Sequence, residues 1–211
     1  AKRMDRFGEG IFSRLAEIKN KRISEGKEVI DAEGRYAAPG FIDSHLHLES
    51  TLVTPAELVT VASRHGTTTF IVDPHESANV SGLAGIDYIL DQTEDVKANV
   101  YVMMPSCVPA TAIDDNGCTL TAEDMAPYLH NSRILGLGEV MDSISVVQGE
   151  KSMHDKLELF EGRIRDGHAP FLEEGDLQAY AMAGIATDHE CSFFDYAMRE
   201  RRNGLTILVR E

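Results

Sequence analysis

From about residue 37 onward, short apolar runs rich in β-branched residues alternate with longer stretches of helical spacing. The strand candidates are Phe41–His45, Thr67–Asp73, Val100–Met104, Ile134–Val140, Ile164–His168, Gly184–His189 and Leu205–Val209. Most are continuously apolar instead of alternating, the pattern of parallel strands covered on both faces. Between them, Thr54-Pro55 reads as a helix N-cap followed by proline at the first helical position, with Glu57 placed to complete a capping box. Thr121-Ala-Glu-Asp opens a similar helix, and His65-Gly66 and Asn203-Gly204 read as helix exits. Strand–helix alternation of this kind predicts an α/β fold. Seven strands in about 175 residues give roughly 25 residues per unit, short of the roughly 31 of a ~250-residue eight-unit barrel. The expected architecture is therefore a (β/α)8 TIM barrel that is incomplete, with about seven βα units over residues 37–211.

Residues 1–36 have a different character, dense in Arg, Lys and Glu. Lys19-Asn-Lys-Arg22, set between Ile18 and Ile23, reads as a hairpin turn, and Glu28–Gly34 as a strand closed by a glycine turn. These residues are expected to form an N-terminal β segment, part of a small composite β domain. No internal repeat or low-complexity segment interrupts the chain.

Composition narrows the function classes. With 211 residues, 43% hydrophobic and 26% charged, the chain supports one substantial core and is too short for two ordinary enzyme domains. Thirty-five acidic residues against twenty Lys and Arg leave a formal charge of -15, a field that repels phosphate backbones and anionic lipid. Nucleic acid and membrane surfaces are thus excluded as expected partners. Cys107, Cys118 and Cys191 are widely spaced and odd in number, which suits free thiols in a reducing cytosol. No apolar run approaches the ~20 residues that span a bilayer, and the N-terminus lacks the shape of a signal peptide. The expected setting is cytoplasmic.

The histidines carry the chemistry. Of the eight, His45, His47, His75, His168 and His189 fall at or just beyond the C-terminal end of a candidate strand, where a β/α barrel builds its active site. His65, His130 and His154 fall on helices or their exits and read as surface or capping residues. His45-Leu-His47 is the most specific pair: residues two apart on a strand point to the same face, so both imidazoles can aim at one divalent cation. Carboxylates accompany them. Asp73-Pro-His75-Glu76 ends the second strand, and Glu139 ends the fourth within Gly136-Leu-Gly-Glu-Val140. A lone strand-end carboxylate is ordinarily a cap or a solvated loop residue. Glu139 is harder to explain that way, because an acid among Leu135, Leu137 and Val140 needs a metal, a cation or a raised pKa. Together these residues supply enough ligands for two cations, and a carboxylate-rich set admits Mn, Fe or Zn.

Ala38-Pro-Gly-Phe-Ile-Asp-Ser-His-Leu-His47 resembles the first-strand signature of the amidohydrolase superfamily, metal-dependent hydrolases on a (β/α)8 barrel. Longer segments resemble the bacterial adenine deaminases in particular. They are His47-Leu-Glu-Ser-Thr-Leu-Val-Thr-Pro55, Gly66-Thr-Thr-Thr69 and Asp73-Pro-His-Glu-Ser-Ala-Asn-Val80, then Met104-Pro-Ser-Cys-Val-Pro-Ala110 and Leu135-Gly-Leu-Gly-Glu-Val-Met141, then Asp166-Gly-His-Ala-Pro170 and Thr187-Asp-His-Glu190. The resemblance runs from about Val29 to Glu211, with the segments in family order. It implies hydrolysis of adenine to hypoxanthine and ammonia, a purine-salvage step in which a metal-activated water attacks C6. It also implies that His45 and His47 are first-strand ligands, His168 the fifth-strand ligand and His189 the sixth. Glu76 and Glu139 match two active-site carboxylates. Glu76 is assigned to the metals and Glu139 to general acid work at the ring nitrogen, with an exchange of the two roles left open. Asp73 and His75 are expected to hold metal or to orient its ligands.

Two departures from the family pattern stand out. The family has an aspartate at the end of its eighth strand, whereas this sequence stops at Arg210-Glu211, around the end of the seventh. The family's N-terminal β segment is matched weakly, best over Leu15–Ile23, and its C-terminal domain is not matched. The expectation is thus a chain lacking its last barrel unit, a homo-oligomer weakly active or inactive on its own. Two other readings stay open. One keeps the superfamily but changes the substrate, to that of a deacetylase or a dihydroorotase-like cyclic-amide hydrolase. The other is a metal-binding domain without turnover.

Overall fold

The computed structural model of the chain describes residues 8–111 and 113–210. It divides into two compact units, Ala1–Pro39 and Gly40–Glu211.

In the first unit the expected β segment is replaced by a helix, α1, over Gly8–Ser24. The Lys19–Arg22 stretch read as a hairpin turn lies inside it. The physical reason is composition: Leu15, Ala16, Glu17, Lys19, Lys21 and Arg22 are straight-chain or small helix formers, with no β-branched alternation to compete. Lys21 and Arg22 fall in the last turn, where cations complement the helix dipole. The exit is a Schellman closure, with Lys27 N–H donating to the Arg22 carbonyl and Gly26 N–H to that of Ile23. Gly26 takes the left-handed conformation that this closure requires (φ 74°). Glu28–Gly34 forms no strand, although the glycine turn at its end is present, closed by Arg35 N–H on the Ala32 carbonyl at 2.8 Å.

The second unit is the expected incomplete barrel. Seven strands, β1 (Phe41–Leu46), β2 (Thr67–Val72), β3 (Asn99–Met104), β4 (Ile134–Val140), β5 (Ile164–Gly167), β6 (Thr187–Asp188) and β7 (Thr206–Ile207), lie side by side in sequence order. Every neighbouring pair is parallel. The crossovers carry α2 (Pro55–Arg64), α3 (His75–Ser81), α4 (Leu83–Gln92), α5 (Ala122–Met125), α6 (Ser143–Gln148), α7 (Lys151–Leu159), α8 (Glu174–Met182) and α9 (Phe194–Arg202). Strands β6 and β7 are shorter than their candidate runs, each pairing over two residues, and Gly184 adopts φ 84° ahead of β6.

Local signals position these helices. Thr54 Oγ1 accepts from Glu57 N–H at the start of α2, with Pro55 at the first helical position; the reciprocal Glu57 bond is not formed. At α5 the box is complete, Thr121 and Asp124 each bonding the other's backbone N–H. His65 and Asn203 cap α2 and α9, as their glycine-followed positions predict.

Between sheet and helices lies one apolar core, in which Phe70, Val72, Val102 and Leu137 of the strands meet Ile86 and Phe160 of the crossovers. Each such buried side chain contributes roughly 1.5–3 kcal/mol. All three cysteines are free, Cys107 buried and the other two partly exposed. No helix among the described residues is long and apolar enough to cross a membrane.

One backbone approach decides how the sheet meets the site. A Cβ on Gly138 of β4 would stand 2.2 Å from Asp73 Oδ2, so only glycine lets the Asp73 carboxylate lie against β4. Gly138→Ala should therefore displace Asp73 and destabilise the fold by about 1–3 kcal/mol, the range of a small overpacking substitution. A urea midpoint unchanged from the parent would show that Asp73 moves aside without strain.

Candidate metal centre

The C-terminal ends of β1, β2, β4, β5 and β6 place eight titratable side chains at one locus. His45 is the fifth residue of β1 and His47 lies just past its end. The β1–β2 register shifts between Asp43 and Leu46, so the strand turns as it leaves the sheet. His45 Nε2 and His47 Nε2 come within 3.1 Å of each other. His75 begins α3 directly after β2, His168 follows β5 and His189 follows β6.

At the centre sits Glu139 of β4, 1% exposed. Its Oε1 lies 2.8 Å from His45 Nε2, 2.9 Å from His47 Nε2, 3.7 Å from His189 Nε2 and 4.0 Å from His75 Nδ1. Its Oε2 lies 3.1 Å from His168 Nδ1. Burial alone would push this carboxyl up, but the His168 hydrogen bond and the close His45 and His47 rings hold it well below the usual carboxylate range.

The scaffold behind these groups is hydrogen-bonded throughout. The Glu139 N–H donates to Asp73 Oδ2 at 2.8 Å, and the Asp73 carbonyl lies 2.8 Å from His47 Nδ1. That second contact fixes the proton of His47 on Nδ1 and leaves Nε2 as a free donor atom facing the centre. Ser106 Oγ donates to the Glu139 carbonyl, and the buried Lys156 Nζ donates to the Ser106 carbonyl at 2.7 Å. Tyr180 Oη donates to the Val140 carbonyl while accepting from His168 N–H, which ties the ends of β4 and β5 together.

Asp166, 4% exposed, supports the opposite side. Its Oδ2 is 3.1 Å from His45 Nδ1 and 3.6 Å from His189 Nδ1, while Oδ1 accepts from Gly167 N–H and Thr187 Oγ1. The nearby His189 ring, with hydrogen bonds from His45 and Thr187, outweighs burial and holds its carboxyl down at about 2. Sequence reasoning gave Asp166 no role. The signal was there, since it stands two residues before His168 and so shares that histidine's face.

The residues fit divalent cations. Glu139 Oε1, Asp73 Oδ1, His75 Nδ1 and both ring nitrogens of His189 are buried without an aligned hydrogen-bond partner, although several lie close together. Such atoms converge on common points instead of on each other. Two donors each ~2.1 Å from one ion and roughly at right angles lie about 3 Å apart, which matches the spacing around Glu139 Oε1. Among the described residues four sets converge here: His45–His47–Glu139, Glu139–His168–His189, Asp73–His75–Glu139 and His45–Asp166–His189. Glu139 belongs to three of them. Glu76 belongs to none, lying exposed on the first turn of α3 with its carboxylate accepting from Ser50 Oγ.

The same contacts set a pH dependence for chelated protein. Burial disfavours charge on His45, but its hydrogen bond to Asp166 and the nearby Glu139 carboxylate raise it from 6.5 to about 10. His47 is raised likewise to about 9, chiefly by Glu139 and the Asp73 carbonyl acting against burial. Both folded-state values exceed the unfolded ones, so this stabilisation is full below the unfolded value and is lost as pH rises through about 9 to 10. The urea midpoint of chelated protein should therefore fall between pH 7 and pH 10. A midpoint that rises over that interval would contradict these pairings.

The amidohydrolase family model matches residues 36–207. Among curated relatives, the adenine deaminase of Desulfitobacterium hafniense is 59% identical over 187 residues, 89% of this chain and 33% of that protein. Adenine deaminase 2 of Carboxydothermus hydrogenoformans is 44% identical over 187 residues, with the same coverage of each chain. The adenine deaminase of Clostridium acetobutylicum is 46% identical over 189 residues, again 89% of this chain and 33% of that protein. The chain thus spans about a third of the length of these relatives. The family match takes in all seven strands and every residue of the histidine–carboxylate cluster, and on that extent the chain belongs to the amidohydrolase family.

Proposed function

We propose that this chain carries the metal-binding part of an enzyme that hydrolyses adenine to hypoxanthine and ammonia. The observation that carries the reading is the convergence of His45, His47, His168 and His189 on the two oxygens of one buried carboxylate, Glu139. The adenine deaminases to which the chain is similar supply the substrate. The reading carries with it a purine-salvage role, a small-molecule substrate and a cytoplasmic setting, the last supported by three free thiols.

Two divalent ions, of Mn, Fe or Zn, would be held by His45, His47, His168, His189 and Glu139, with Asp73 and His75 beside them. Bound there, such ions acidify water so that it attacks carbon at neutral pH. Glu139 is assigned to the cations and not to protonation of the ring nitrogen, because both of its oxygens face imidazole nitrogens and it belongs to three of the four ligand sets here. Of the two exchangeable carboxylate roles, the substrate side then falls to Glu76, which stands next to His75 but outside the ligand sets. Asp166 orients His45, the Asp73 carbonyl orients His47, and the Lys156–Ser106 relay fixes the backbone that carries Glu139.

The test is a substrate panel on the intact protein: adenine, adenosine, dihydroorotate and an N-acetylated amino sugar. Ammonia and hypoxanthine from adenine, with no turnover of the cyclic amide or the acetamide, support the reading. Turnover of either of those in place of adenine moves the enzyme elsewhere in the family.

A further inference from the structure

A second group of ligand-type side chains lies outside the cluster around Glu139. Asp188 ends β6, Cys191 follows three residues later, and Glu200 sits on α9. Donor atoms of the three lie within 4.8 Å of one another. Consecutive residues of an extended strand face opposite sides. Asp188 therefore points away from the side taken by His189, toward the layer where α9 packs.

The chemistry of this group is unbalanced. Asp188 and Glu200 are both fully buried. Asp188 is anchored by two backbone amides, Ala169 N–H on Oδ1 at 2.7 Å and Glu190 N–H on Oδ2 at 2.8 Å. Glu200 has nothing comparable: both of its oxygens are buried without a hydrogen-bond partner. The neighbouring Arg199 is engaged elsewhere, its guanidinium donating to the Leu172 carbonyl and lying over the Tyr196 ring at 4.9 Å. Two buried carboxylates facing each other beside a thiol are costly unless a cation or a proton sits among them. Entry is by way of Cys191, which is partly exposed and lines an open cleft of about 590 Å³ shared with His189, Glu190, Ala197 and Leu208.

We propose that Asp188, Cys191 and Glu200 form a separate site for one divalent transition cation of the zinc class. One thiolate and two carboxylates suit a borderline-soft ion, and the cleft leaves room for water as a fourth ligand. Binding expels the Cys191 thiol proton to solvent, and the cation then neutralises the pair of carboxylates that the protein leaves facing each other. The site holds sulfur, which the cluster around Glu139 lacks, so the two centres are spectroscopically separable.

The experiment is a Co²⁺ titration of the intact protein, followed in the near ultraviolet for the sulfur-to-cobalt charge-transfer band. A band is expected that disappears in Cys191→Ser, survives in Cys118→Ser, and needs at least ~tenfold more Co²⁺ in Glu200→Gln. Because a variant can fail to fold, alkylation of Cys191 in the unmodified protein provides a second reading: Zn²⁺ should slow it about tenfold or more. No band at saturating Co²⁺, a band that persists in Cys191→Ser, full Co²⁺ affinity in Glu200→Gln, or alkylation indifferent to Zn²⁺ would each overturn the site. A carboxyl pair sharing one proton would then take its place.

Discussion

Glu139→Gln should strip metal from the histidine cluster and lower adenine turnover by well over the ~10–100-fold that losing an outer partner costs. Glutamine keeps the volume of Glu139 and its backbone bonds to Asp73 and Ser106, so the fold has little reason to fail. What disappears is the negative charge that both oxygens present to five ring nitrogens. Three of the four convergent ligand sets lose a member at once. Metal content by elemental analysis, turnover and the urea midpoint should be measured together. Glu76→Gln is the internal contrast, since its carboxylate lies outside every set and its metal content should equal the parent's. A Glu139→Gln protein with full metal content would remove Glu139 from the centre, and a metal-depleted Glu76→Gln protein would restore Glu76 to it.

Asp166→Asn should weaken metal affinity by about 10–100-fold while leaving the three ligand sets that contain Glu139 intact. The carboxylate faces Nδ1 of His45 and of His189, and so holds the ring proton on that side and the free lone pair of Nε2 toward Glu139. An amide in the same place can present N–H instead of oxygen to Nδ1. The imidazole then carries its proton on Nε2, where it blocks a cation. The effect should appear in the metal dissociation constant and shrink when metal saturates. Unchanged affinity would mean that the rings are oriented by packing alone, for which the His45–His189 stacking at 3.6 Å would be the cause.

Most of the barrel was legible because its strands are buried on both faces and so read as unbroken apolar runs. Ile134–Val140 matches β4 residue for residue. The histidines were legible for a related reason, since polar residues at the ends of such runs have few structural uses. Distinguishing the two carboxylates was beyond the sequence: Glu76 and Glu139 both end strand segments, and only the fold shows one inside the imidazoles and the other beside Ser50. Asp166 was hidden because β5 is itself polar, Ile164-Arg-Asp-Gly167, so one more carboxylate there does not stand out. The N-terminal segment misled because Lys19-Asn-Lys-Arg22 has turn-like polarity, while its helix propensity and its Schellman exit at Gly26 favour α1.

Metal-dependent hydrolysis of adenine is tested most directly by following hypoxanthine formation as Mn²⁺, Fe²⁺ or Zn²⁺ is returned to the chelated intact protein. It predicts negligible turnover without metal and a rate that climbs with occupancy of the Glu139 cluster until that cluster is full. Adenine turnover indifferent to chelation, or no hypoxanthine from protein carrying its full complement of metal, would contradict it.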